Sequence, residues 1–308
     1  MKNPDFKFKH KRVTILGGTG TLGKALTSKI HEVWPDVQVT ILSRDEHKQA
    51  VMKREFPKCQ YVIGDIRDRR SLGKFIAGRD IVFHVAALKH IDIAEANPVE
   101  CIRTNVDGTI NAAEIAYTNG VQRFIFSSTD KAVDPINTYG SAKYLSERYL
   151  YNFNLIQSST KFSVYRWGNV LGSQGSAIPL FAETLLRERK AYITHPDMTR
   201  FWIPIDWATA FMLHTFNDSY SDKAMVPPTM KAASVIELIA AISNILGIKD
   251  YGLITTGIRP GEKIHEAIYS QHSEHPLTSD KAPRYTQDEL IRMLRPIILN
   301  QVQARSAA

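Results

Sequence analysis

Six short runs rich in β-branched and aromatic residues recur through the first half of the chain: RVTIL (12–16), QVTIL (38–42), QYVIG (60–64), DIVFHV (80–85), RFIFSS (123–128) and KFSVYR (161–166). Helix-length stretches separate them. A run that is apolar on both faces must be covered on both, and a connection long enough for a helix lets the next strand lie parallel to the last. The expected fold is therefore α/β, a doubly wound parallel sheet with helices on each side.

Beyond about residue 170 the pattern changes to longer loops, proline-containing segments and amphipathic helices at SAIPLFAETLLRER (176–189) and SVIELIAAISNILG (234–247). The expected division is one domain over 11–170, rejoined by segments from about 200–230, and a smaller domain over most of 171–308. The stretch 272–299 ends in another amphipathic helix. With 308 residues, 44% hydrophobic and 23% charged, the chain has the means to bury a sizeable core.

No run of eighteen apolar residues occurs, and the basic start MKNPDFKFKHKR lacks the apolar stretch of a secretory signal, so the reading is a cytosolic protein without a membrane partner. Cys59 and Cys101 have no metal-ligand spacing and are read as reduced, with no metal. The net charge of +8 is dispersed along the chain apart from the first twelve residues. Dispersed charge fits a nucleotide ligand better than a nucleic acid, for which no motif is present.

Directly after the first run stands LGGTGTLGK (16–24), where Gly17, Gly20 and Gly23 follow a G-x-x-G-x-x-G spacing. Between a strand and a helix, such glycines let backbone approach a pyrophosphate that the helix N-terminus attracts, as in a Rossmann-type dinucleotide site. The second run ends ILSRDE, placing Ser43 and Arg44 where a site for NAD has an acidic residue. A guanidinium beside a hydroxyl suits a ribose 2'-phosphate, so the expected cofactor is NADP rather than NAD; in the alternative reading, Asp45 takes the acidic role. Asp65 and Ile66 are expected to flank the adenine, and Ala86 and Ala87 to let backbone pass close to the cofactor.

The fifth run leads into SSTDKAVDPINTYGSAK (127–143), with Tyr139 and Lys143 four apart on a helix. A phenol is a poor base near neutrality, but an adjacent ammonium and a cationic nicotinamide favour phenolate. Tyr139 is expected to take a proton from a substrate hydroxyl, and Lys143 to assist it while holding the nicotinamide ribose. On the substrate side, Asn169 and the loop Gly172 to Ser176 are candidates to face a diphosphate or sugar. Arg200 and Arg259 are candidates to grip a nucleotide diphosphate, and Glu262 to accept from its ribose.

These segments resemble the extended short-chain dehydrogenase/reductase family over nearly the whole chain. SRDEHK, GDIRD, AALKH, STDKAVDPINTYGSAK, RWGNVLGSQGS, PDMTRFWI and GIRPGEKIHE together look like the inverting UDP-N-acetylglucosamine 4,6-dehydratases of surface-sugar pathways. The resemblance implies a UDP-sugar substrate, a tightly bound and recycled NADP, and a homo-oligomer. It adds Thr19, Thr21, Leu22 and Lys89 to the cofactor contacts, Lys89 also touching substrate. It implies Asp130 as the acid at sugar carbon 6, Lys131 as the base at carbon 5 and Thr129 as a hydrogen-bonding partner of the carbon 4 oxygen. Since both charges must be reversed for those roles, Asp130 and Lys131 are expected to point at different substrate atoms. The long membrane-anchored relatives that retain configuration carry Met where Tyr139 stands. Two rival readings are a UDP-sugar 4-epimerase, which needs no elimination acid and base, and a noncatalytic NADP-binding protein, which has no use for Tyr139 and Lys143.

Overall fold

The computed structural model describes residues 11–156, 159–173, 175–215, 223–270 and 272–306. Gln174, inside the predicted 172–176 loop, most of the basic N-terminal cluster and residues 216–222 of the predicted returning segment lie outside these. The chain divides into two compact units: one runs to Arg166 and adds Asp206–Val226, the other takes Trp167–Ile205 and the chain from Pro227 on.

The first unit holds β1 (Arg12–Leu16), α1 (Thr21–Val33), β2 (Gln38–Ser43), α2 (Glu46–Glu55), β3 (Gln60–Ile63), α3 (Arg69–Ile76) and β4 (Ile81–His84). It continues with α4 (Ile91–Ala96), α5 (Pro98–Ile102), α6 (Gly108–Thr118), β5 (Arg123–Ser127), α7 (Thr138–Leu155) and β6 (Lys161–Tyr165). The six strands form one parallel sheet in the order β3-β2-β1-β4-β5-β6, Val13 lying between Val39 and Ile81. They fall where the sequence runs place them, because the inner runs are buried on both faces; β4 is buried at all four positions, while edge strand β3 is exposed at both ends. On one face Leu16, Leu42, Val82, Phe124, Phe126 and Phe162 pack with Ala112, Ala113 and Ala116 of α6 and Leu150 of α7.

Strand order reverses between β1 and β4, so their C-terminal ends open the crevice in which doubly wound sheets bind ligands. The returning segment includes most of α9 (Ile205–His214), and its Met225 extends the sheet beside β6: the Met225 amide donates to Val164 and its carbonyl accepts from Arg166.

In the second unit β7 (Asn169–Val170), β9 (Thr199–Ile203) and β10 (Ala232–Ser234) form one small sheet. Strands β8 (Lys190–Ile193) and β11 (Gly252–Thr255) form a second, and β12 (Ala267–Tyr269) and β13 (Leu277–Thr278) a third. Helices α8 (Ala177–Glu188), α10 (Val235–Leu246) and α11 (Gln287–Ser306) share its core through Phe181, Leu185, Leu238, Ile242, Leu290 and Leu294. A capping box between Ser234 and Glu237 starts α10, and Gly247 ends it in the left-handed region. Among the described residues no helix is long and apolar enough to cross a membrane.

Candidate active site

Beyond β5 the chain makes a single 3-10 turn over Asp130–Ala132, capped by Thr129, whose hydroxyl accepts from the Lys131 amide. Asp130 is fully buried, and its Oδ1 accepts from the Thr129 hydroxyl and from Lys131 Nζ, each at 3.0 Å. The expectation that Asp130 and Lys131 point apart is therefore corrected. A carboxylate removed from water needs partners at hand, and its two sequence neighbours supply them.

Helix α7 brings the Tyr and Lys to this turn. Its first turn is fixed twice: Asn137 caps the Gly140 amide at 2.7 Å, and Glu95 of α4 accepts from the Thr138 amide at 2.6 Å. Gly140 lies so close to the catalytic turn that a Cβ there would meet the Lys131 carbonyl oxygen at 2.1 Å. Hydrogen alone fits.

Tyr139 is buried against Ala94, Cys101 and Ala142, with Thr129, Asp130 and Lys131 of the turn near its phenol. Burial pushes the phenol up to about 12, against the pull of Lys131 and Thr129. Lys131 is thus a cation favouring phenolate here. Lys143 itself is 2% exposed, its ammonium 3.9 Å from the centre of the Phe126 ring, and burial pushes it down to about 7 while Glu147 pulls the other way. Unfolded, a lysine keeps its proton to about 10.5. Between pH 7 and that value the unfolded chain binds the extra proton, so this group makes the fold more stable as pH rises. In Lys143→Met that contribution is expected to vanish, and melting curves of the two proteins across this window should diverge upward for the parent chain.

The glycine-rich turn is built for close approach. At Gly17, with φ of +81°, a Cβ would stand 2.6 Å from the Ala86 backbone; at Gly23, 2.5 Å from Gly18. Thr19, Gly20, Thr21 and Leu22 are half-buried around the start of α1, whose N-cap Gly20 makes no side-chain cap and whose first turn has no acidic residue. A 13-residue helix with no acidic residue in its first turn, beside a closely packed glycine turn, fits a dinucleotide pyrophosphate.

Ser43 is buried, its hydroxyl held by Gln49 Nε2 at 3.0 Å, whereas Arg44 is 63% exposed and 4.0 Å from Asp65. Asp45 caps α2 through the Lys48 amide, which leaves its carboxylate occupied. Asp65 is gripped by Arg67 through Nε and Nη2, and Ile66 is buried under Gly108. In the loop after β4, Ala86 is half-buried, and Ala87 and Lys89 are exposed.

Sequence reasoning missed what holds this loop. Asn105, in a π-helical turn between α5 and α6, clamps Leu88 at both its amide and carbonyl, each at 2.8 Å, while its own carbonyl accepts from Ser146 of α7. A π turn inside an otherwise helical run is a recurrent feature of functional sites.

The second-unit candidates are engaged internally. Arg200 is buried, donating to the carbonyls of Thr199, Lys263 and Ile264, with Glu266 3.9 Å from its Nε; it staples β9 to the 263–266 segment. Arg259 is exposed and paired with Glu262 at 2.7 Å. Asn169 is half-buried on β7 opposite Trp202.

A crevice at a strand-order switch, with a Tyr and a Lys on a nearby helix, is the arrangement that the resemblance to extended short-chain dehydrogenases/reductases implies. The chain belongs to the polysaccharide biosynthesis protein family, whose model matches residues 13–287. A UDP-N-acetylglucosamine 4,6-dehydratase (inverting) of Campylobacter jejuni subsp. jejuni serotype O:2 is 39% identical over 87% of this chain and 80% of its own length. A UDP-glucose 4-epimerase of Rickettsia felis is 38% identical over 85% and 79%. Among solved structures, Pen from Bacillus thuringiensis superposes with a TM-score of 0.86 at 30% identity, covering 96% of this chain and 99% of that one. The dTDP-glucose 4,6-dehydratase DesIV from Streptomyces venezuelae, solved with NAD bound, shares the fold with a TM-score of 0.78 at 21% identity, over 95% and 98%.

Proposed function

We propose that the chain is an NADP-dependent, 5-inverting UDP-N-acetylglucosamine 4,6-dehydratase, a hydro-lyase. One observation carries the reading: an acid and a base, Asp130 and Lys131, stand together beside Tyr139 at the end of β5, where a pure carbon 4 epimerase has no need of them. A bound nicotinamide would supply the hydride chemistry that links carbon 4 to carbon 6. Gly17, Gly20, Gly23 and the start of α1 would hold its pyrophosphate, and Lys143 its ribose.

The protein's own residues move the protons. Tyr139 takes the proton of the carbon 4 hydroxyl, with Thr129 bonding that oxygen. The resulting ketone makes the carbon 5 proton acidic; Lys131 removes it while Asp130 protonates the hydroxyl leaving carbon 6, and water departs. These steps leave Lys131 cationic and Asp130 anionic, the charges of the 3.0 Å pair in the structure. When hydride returns to carbon 6, carbon 5 takes a solvent-derived proton on the face opposite Lys131, which gives inversion; the proton on Lys131 passes to Asp130 and Tyr139 loses its own to solvent, restoring all three groups.

NADP is favoured over NAD by exposed Arg44 beside buried Ser43, with Asp45 committed to its cap. Arg44→Ala is expected to weaken NADP binding about 10- to 100-fold, the worth of a charge-assisted phosphate contact, and to leave NAD binding within about twofold, as titration calorimetry would show. The reading places the protein in the cytoplasm as a homo-oligomer, which exposed Val99, Ile102, Tyr144 and Leu145 on α5 and α7 support.

The decisive experiment incubates the protein with UDP-N-acetylglucosamine in deuterated water. Loss of one water with deuterium at carbon 5 is the expected result, ring couplings reporting inversion. Conversion to the galacto epimer at unchanged mass would instead establish the epimerase reading that the Rickettsia relatives favour.

A further inference from the structure

One buried carboxylate is left over from this chemistry. Glu147 is 1% exposed and lies on the same face of α7 as Tyr139 and Lys143, at successive spacings of four. Its Oε1 accepts from the Ser128 hydroxyl and from Arg166 Nε at 3.2 Å, and its Oε2 from Arg166 Nη2 at 2.5 Å. It therefore joins the end of β5, the catalytic helix and the residue that follows β6. Ser128 directly precedes the Thr129–Lys131 turn.

Lys143 shows what such a group is for. Its ammonium rests on the Phe126 ring, a contact weaker than the cost of taking a charge out of water. The titratable groups around it come from four elements. His84 of β4 is kept neutral, pushed down to about 3 by burial and by Lys143 itself. Burial pushes the Cys101 thiol of α5 up. On the catalytic turn Asp130 is matched by Lys131, and on α7 Tyr139 is a neutral phenol. The carboxylate that remains, one helical turn along, is Glu147.

We propose that Glu147 is the positioning residue of this site: it keeps Lys143 cationic for the cofactor ribose and pins the Thr129–Lys131 turn to α7 through Ser128. The role assumed for Lys143 rests on the dehydratase reading, but the coupling of Glu147 to Lys143 does not.

The test is an NMR titration of the full chain carrying 13Cε-labelled lysine, with Lys143→Arg to assign the signal. Lys143 is expected to titrate near neutrality, and in Glu147→Gln its proton affinity is expected to fall about tenfold; Glu147→Asp should restore most of it. The pH above which NADP binding weakens should fall by the same amount. An unchanged Lys143 midpoint in Glu147→Gln would overturn the proposal. Should that variant not fold, Arg166→Gln supplies the second reading. It removes the competing cation and is expected to raise the Lys143 midpoint, and a midpoint that stays put overturns the proposal equally. A shifted midpoint in a chain that performs no water loss would uphold the coupling while sinking the dehydratase reading.

Discussion

Replacing Lys131 with alanine, or Asp130 with asparagine, is expected to lower the rate of water loss by about 10³-fold while NADP still binds, the usual scale for deleting a positioned acid or base. The two substitutions differ in structural cost. Lys131→Ala leaves a fully buried carboxylate without its ammonium, a loss of about 3–5 kcal/mol unless the acid protonates, whereas Asp130→Asn keeps shape and the Thr129 contact. Asp130→Asn is thus the cleaner probe. Because both variants retain Tyr139, the first oxidation should still run, and reduced cofactor should accumulate on mixing with substrate. Full dehydratase activity in both would remove the acid and base assignments; loss of cofactor reduction as well would point to a disturbed turn.

Gly140→Ala is expected to be nearly as damaging through a single methyl group. The added carbon would fall 2.1 Å from the Lys131 carbonyl oxygen, so either α7 or the catalytic turn must move. Overpacking of this kind costs about 1–3 kcal/mol, and a displacement of about 1 Å between reacting groups costs on the order of 10²-fold in rate. Urea denaturation and steady-state kinetics would read the two effects separately. Gly73→Ala is the control: also helical, on α3, it has nothing within 4 Å of the new carbon and should leave stability unchanged or slightly raised. Wild-type turnover in Gly140→Ala would show that the close approach does not matter.

The sheet was legible because its inner strands are buried on both faces, which forces continuous apolar runs; edge strand β3, exposed at Gln60 and Ile63, was legible from its β-branched and aromatic residues alone. The glycine turn, Tyr139 and Lys143 were legible for a related reason, since their spacings are local. What could not be read depends on tertiary surroundings. The Asp130–Lys131 contact follows from full burial of Asp130, which no spacing encodes. Arg200 sits in TRFWI, a strand buried at every position, and its donation to three backbone carbonyls is a tertiary contact that no spacing encodes. Glu147 was within reach of the helical spacing that identified Lys143; nothing in the sequence showed that it would be buried. Gly140 reads as an unfavourable residue in a helix, and its reason appears only when the Lys131 carbonyl is seen against it.

Met225 beside β6 bears on how this chain comes into being. The nucleotide-binding sheet gains that outer neighbour from beyond Asp206, after residues 167–205 of the other unit have already been made. Domains tend to fold as they leave the ribosome, N-terminal first. Here the first unit must wait, its β6 edge open, while part of the second is synthesised. No single cut separates the two units into self-sufficient pieces, and a fragment ending near residue 170 would present Val164 and Arg166 with an unsatisfied backbone edge, a ready template for aggregation.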